Sequence, residues 1–111
     1  MDIIFKDDAL LQLCNDDRIA TRKLGRECAK KLRRRLDDLD AAASLVAFRT
    51  LPGRCHELKG DLAGCLALDL HGGVRLVFQP ASDPIPQKEE GGLDWSKVTW
   101  VCIVAVEDYH D

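Results

Sequence analysis

This chain of 111 residues predicts an α+β fold, with N-terminal helices packed on a small antiparallel β-sheet in one domain covering residues 1–111. Three observations point that way. Between about Asp16 and Asp40, the residues Ala20, Leu24, Cys28, Leu32, Leu36 and Leu39 recur at steps of four, four, four, four and three, the stripe of an amphipathic helix. After Leu51-Pro52-Gly53 the period becomes two: Leu66, Leu68 and Leu70 alternate with Ala67 and Asp69, and Leu76 and Phe78 with Arg75 and Val77, as in a sheet with one better-buried face. The length suits one core, since single domains commonly run to about 100–150 residues, and no internal repeat is visible.

Taken in order, Asp2 to Phe5 is a short strand, and Asp8 to Cys14 fits a brief helix ending near Asn15. The long helix follows, with Asp16 and Asp17 at the positive end of its dipole. Gly25 is its weak point, costing about 1 kcal/mol against alanine in a helix interior. Leu45 to Phe48 suggests a single helical turn, and Leu51-Pro52-Gly53 then forces a bend. Cys55 to Leu58, Cys65 to Leu70 and Val74 to Phe78 read as antiparallel strands, the last two joined by the tight turn His71-Gly72-Gly73. Residues Gln79 to Ser96, rich in proline, glycine and acidic side chains, read as a long acidic loop. The apolar run Val98 to Val106 is the last strand.

Composition narrows the classes. Hydrophobic residues make up 46% and charged ones 32%, and no apolar run approaches the roughly 20 residues of a membrane helix. The first residues carry neither a basic leader nor a long apolar stretch, so the expectation is a cytoplasmic protein without membrane association. Cys14, Cys28, Cys55, Cys65 and Cys102 are odd in number and form no C-x-x-C pair, which suits reduced, mostly buried thiols.

Charge is unevenly spread. Residues 1–60 carry 13 Lys/Arg against 10 Asp/Glu, and residues 61–111 carry 3 against 9. Between Arg18 and Arg35 there are nine basic residues and one acidic, Glu27. Such a helix has the footprint of a polyanion-binding surface, although Lys and Arg on a long helix are most often a solvated face.

Chemistry-bearing residues gather at the end of the last strand, where Asp108, Tyr109 and His110 offer groups suited to proton transfer. His56 taken alone is more often a structural histidine than a catalyst. Arg75 has two open readings, a phosphate contact or an ion pair with Asp69 across the hairpin. His71 is a turn residue. A metal site built from His56, Asp108 and His110 is conceivable, but nothing in the spacing demands it.

The run Leu51-Pro52-Gly53-Arg54-Cys55-His56-Glu57-Leu58-Lys59-Gly60-Asp61, then Gly64, then Val74-Arg75-Leu76-Val77-Phe78, then Asp108-Tyr109-His110 resembles the HigB-like toxins (plasmid maintenance killer proteins) of the RelE/ParE superfamily. The resemblance runs in order over nearly the whole chain. It implies a RelE-like fold and the toxin of a type II toxin–antitoxin system: an endoribonuclease that cuts mRNA on the ribosome until a helix-turn-helix (HigA-like) antitoxin neutralises it.

The implied chemistry is acid/base cleavage, with a base for the 2′-hydroxyl, an acid for the leaving 5′-oxygen and positive charge on the phosphorane-like transition state. It requires no metal or cofactor. By resemblance His56, Tyr109 and His110 are candidates for acid and base, Asp108 would orient an imidazole, and Arg75 would hold the phosphate. Arg54 and Lys59 are candidate secondary phosphate contacts. Arg22, Arg26, Lys30, Arg33 and Arg34, with Arg35 in the same run, would engage ribosomal RNA through salt-sensitive contacts. The chain departs from the pattern at Val74, where an aromatic residue is usual, at Gln79-Pro80 after Phe78, and in its longer acidic loop. The alternative is a non-catalytic module that keeps the fold and antitoxin contact, or a gyrase-directed toxin. Oligomeric state and codon preference are left open by the sequence.

Overall fold

The computed structural model describes residues 1–108. Five strands form one sheet: β1 (Asp2–Phe5), β2 (His56–Glu57), β3 (Leu66–Asp69), β4 (Val74–Pro80) and β5 (Trp100–Asp108), in the order β1-β5-β4-β3-β2. From β2 to β5 every pairing is antiparallel, as expected from the alternation, and β1 adds a parallel edge beside β5. No described helix is long and apolar enough to cross a membrane.

The three helices are α1 (Asp8–Asn15), α2 (Asp17–Leu24) and α3 (Arg26–Ala41). Asp7 caps α1 by accepting from the Leu10 amide, and Asp16 caps α2 by accepting from the amides of Arg18 and Ile19, so orphan amides at both starts are satisfied. The expected single helix from 16 to 40 is therefore two. Gly25, at φ +84° and ψ 162°, ends α2 and opens α3, a backbone state that glycine takes without a Cβ penalty. Steps of four also drift by about 40° each around a helix of 3.6 residues per turn. One straight helix could not hold that stripe on one face, and the break lets α2 fold back on α3.

Helix residues Cys28, Leu32, Leu36 and Leu39 share one core cluster with Leu66, Leu68, Leu76, Phe78, Val101 and Ile103 of the sheet. Burial of a leucine side chain contributes about 1.5–3 kcal/mol, so this seam fixes which sheet face the helices cover. The backbone nitrogen of Met1 donates to the carbonyls of Leu39, Asp40 and Ala42 at 3.0, 2.8 and 2.7 Å, satisfying acceptors that the end of α3 leaves open.

A 3-10 turn at Leu45–Arg49 matches the expected helical turn. The last strand starts two residues later than the apolar run suggests and extends through Asp108. The acidic segment between β4 and β5 is more ordered than a plain loop: Gln87 bridges Leu93, Trp95 is buried in a 3-10 turn of its own, and its Nε1 donates to Glu57 Oε2 at 3.1 Å. The Arg49 guanidinium lies 4.5 Å from the Trp95 ring centroid. Glu57 thus ties that segment to β2.

Candidate active site on the open sheet face

Cross-strand register sorts the sheet residues into two faces, because paired residues project to the same side. His56, Ala67, Val77 and Ala105 form one row, and Asp69, Arg75 and Glu107 the next. Ala67 and Val77 are themselves buried, at 0% and 1% exposure, yet neither belongs to the helix-packed cluster, so these rows lie on the face opposite the helices, open in the sense that no helix covers it. A β-bulge between Val77 and Phe78 in the β4–β5 pairing keeps Ala105 and Glu107 on that face. Further along it Gln79 lies opposite Cys102, and Ile4 and Trp100 are exposed.

His56 is half-buried on β2, and its Nδ1 stands 2.7 Å from the Arg54 carbonyl oxygen. A carbonyl oxygen only accepts, so Nδ1 carries the hydrogen and, in the neutral ring, Nε2 is the basic nitrogen. Arg54 grips Asp69 with two contacts, Nε to Oδ2 at 2.8 Å and Nη2 to Oδ1 at 3.3 Å. Arg75, whose side chain is 15% exposed, donates from Nη2 to Glu107 Oε1 at 3.1 Å. Arg75 does face Asp69 in register, but Asp69 is taken by Arg54 and the partner of Arg75 is Glu107. Of the two readings of Arg75, the hairpin ion pair with Asp69 is therefore not the one formed.

Other expected site residues fall elsewhere. Lys59 is exposed in the connection after β2. Asp108 is exposed at the last described position and pairs with Val74, the register parity of the helix-covered face and so opposite to that of Glu107. Tyr109 and His110 lie outside the described residues. Among the described residues no group of three His, Cys, Asp or Glu side chains is placed to hold a metal ion.

The basic run is on the other side of the molecule. Arg26, Lys30, Arg33 and Arg34 line an open groove of about 650 Å³ on the outside of α2 and α3, and Asp17, Asp37 and Asp38 line it with them. Arg22 is exposed on α2. Arg33 is already engaged, reaching Asp37 Oδ1 and, from Nη1, the Cys14 carbonyl at 3.1 Å. Arg35 leaves the basic face altogether. It is 7% exposed, and its Nε donates to the Asp69 carbonyl at 3.2 Å. A continuous run of arginines is split because consecutive helix positions are about 100° apart, which turns residue 35 inward beside Leu32 and Leu36.

All five thiols are free, and burial pushes each above the ordinary value of 9.0, Cys14 to about 11 and Cys55 to about 12. None is a thiolate nucleophile near neutral pH. His56 is the imidazole on the sheet face away from the helices, with Arg75 one row away.

Sequence reading did not single out Asp69 or Glu107 as site members. Asp69 was legible as the polar position of an alternating strand. Glu107 was not, because its pairing with Arg75 depends on a bulge that no local pattern announces.

No family model and no curated protein matches the sequence. Solved structures do match in fold. A YoeB/ParE toxin from Agrobacterium tumefaciens superposes with a TM-score of 0.57 at 14% identity, covering 99% of this chain and 100% of that one. A chain of a YoeB-YefM complex from Staphylococcus aureus superposes with a TM-score of 0.55 at 18% identity, covering 100% of this chain and 98% of that one. Three helices on a five-stranded mixed sheet, joined in this order over the whole length, are the α+β fold of the YoeB/ParE toxins.

Proposed function

We propose that this chain is the toxin of a toxin–antitoxin pair and acts as an endoribonuclease on mRNA at the ribosome, of the HigB-like kind that its motifs resemble. The observation that carries the reading is His56, held through Nδ1 with Nε2 as its basic nitrogen, on the open face of a toxin-like sheet one row from Arg75. In the proposed reaction Nε2 takes the proton of a 2′-hydroxyl, the 2′-oxygen attacks the adjacent phosphorus, and the 5′-oxygen leaves with a proton from an acid. The products are a 2′,3′-cyclic phosphate and a 5′-hydroxyl. Arg75 would exchange Glu107 for the scissile phosphate, adding positive charge where negative charge develops. By resemblance, the acid comes from Tyr109 or His110, with Asp108 orienting an imidazole.

Lys59 would contribute a more distant phosphate contact, and the α2–α3 groove with Arg22, Arg26, Lys30, Arg33 and Arg34 would face ribosomal RNA. An antitoxin is the proposed neutralising partner, in keeping with a neighbour solved as a YoeB-YefM complex, and by resemblance it would be a helix-turn-helix (HigA-like) protein. The cytoplasm is the proposed compartment.

The test is induced expression in bacteria followed by primer extension on a reporter mRNA, with His56→Ala as the control. Cuts that require translation and vanish in the variant are the expected result. A folded protein that makes no cuts favours the second reading, a non-catalytic module of the same fold. One feature supports that second reading: Arg54 and Arg75 are each paired to a carboxylate.

A further inference from the structure

Among the described residues Arg54 is the one non-glycine with positive φ, 51°. L-amino acids enter this left-handed region at a cost, and such strain persists where the surroundings over-determine it. Here they do so on three sides. The Asp69 amide donates to the Gly53 carbonyl at 2.7 Å. The Asp69 carboxylate takes both ends of the Arg54 fork. Beneath them the buried Arg35 reaches from α3 to the Asp69 carbonyl. The product of this arrangement is the position of one atom, the Arg54 carbonyl oxygen, which receives Nδ1–H of His56.

We propose that Asp69, acting through Arg54, is a positioning residue that sets the tautomer of His56, keeping the proton on Nδ1 and Nε2 open to the sheet face. The free histidine side chain favours the opposite tautomer, with its proton on Nε2. Without the clamp, neutral His56 would present an N–H where a base is needed. The tautomer itself is a property of the fold, and only its catalytic consequence rests on the nuclease reading above.

The experiment is ¹⁵N NMR of the histidine ring nitrogens in the full chain at about pH 9, above the ordinary histidine range. In the unaltered protein Nδ1 should give the protonated type of signal and Nε2 the bare type as the major form, by roughly a few-fold, because the roughly tenfold at most that one hydrogen bond supports first offsets the ring's own preference. Asp69→Asn and Asp69→Ala should each lower that ratio severalfold, and translation-dependent cleavage should fall in kcat with KM little changed. If an Asp69 variant loses its dispersed spectrum, Arg54→Gly provides the same reading, since glycine keeps the left-handed backbone and removes the clamp. A proton on Nε2 in the unaltered protein overturns the proposal, as does an unchanged ratio in every folded variant. Correct tautomer without any mRNA cleavage overturns the nuclease reading alone. His56-dependent cleavage with the proton on Nε2 overturns the positioning proposal alone.

Discussion

The Arg35 side chain runs directly against Gly53: a Cβ at position 53 would stand 2.8 Å from Arg35 Nε and 3.0 Å from both Arg35 Cδ and Leu68 Cδ2. Gly53 also has φ +114°. Gly53→Ala therefore meets two penalties, about 1–2 kcal/mol for the backbone and about 1–3 kcal/mol for overpacking. We expect a total loss of about 2–5 kcal/mol, with the largest amide shift changes at residues 53–56 and 69. Urea unfolding with a two-dimensional amide spectrum checks it, and a loss within 0.5 kcal/mol, the range of an ordinary surface change, would mean that the loop and Arg35 part easily.

Neighbouring arginines should behave differently. Arg35→Met keeps the apolar stem but leaves the Asp69 carbonyl without its Arg35 donor, which costs about 1–3 kcal/mol. Arg34→Met, on the exposed groove, should stay within about 0.5 kcal/mol. Denaturant midpoints of the two variants give the comparison, and equal midpoints would remove Arg35 from its structural role. For the same reason ribosome contact should be probed by reversing Arg33 and Arg34 and leaving Arg35 in place.

Glu107 competes with any phosphate for Arg75. Glu107→Gln keeps the shape and removes the charge, so a short single-stranded RNA should bind a few-fold more tightly at low salt, with the difference shrinking as screening grows. Arg75→Ala should weaken the same binding about tenfold, the loss of one charge-assisted contact. Fluorescence anisotropy across a salt series measures both. Weaker binding by Glu107→Gln would show that the carboxylate organises Arg75 instead of blocking it.

Alkaline pH should destabilise the fold through its thiols. Cys14, 4% exposed, has its pKa raised from 9.0 to about 11 by desolvation, and Cys55 is raised to about 12, again chiefly by desolvation. A raised folded pKa means that the folded state holds the proton more tightly. The resulting stability is fully present below pH 9 and is lost as pH climbs towards 11 and 12. For Cys14 the loss should reach about 1–2 kcal/mol by about pH 10.5. Cys14→Ala should flatten the fall of the urea midpoint with pH, and an equally steep fall would assign the alkaline loss to other groups.

Local chemistry alone determined much of this protein. Strand β1, helix α1, the 3-10 turn at Leu45–Arg49 and the hairpin of β3 and β4 lie close to where period, caps and turn residues put them, because each is decided by residues within a few positions of one another. The resemblance in the 51–61 and 74–78 segments likewise anticipated a fold that the YoeB/ParE structures share. Tertiary structure decided the rest. Gly25 divides a stripe that looked continuous, and α2 packs against α3 instead of extending it. Parallel pairing of β1 with β5, the inward turn of Arg35, and the choice of Glu107 over Asp69 as partner of Arg75 all depend on side chains brought together from more than 30 positions apart. No local period encodes such meetings. They follow from which faces are buried together, and on that choice the setting of His56 depends.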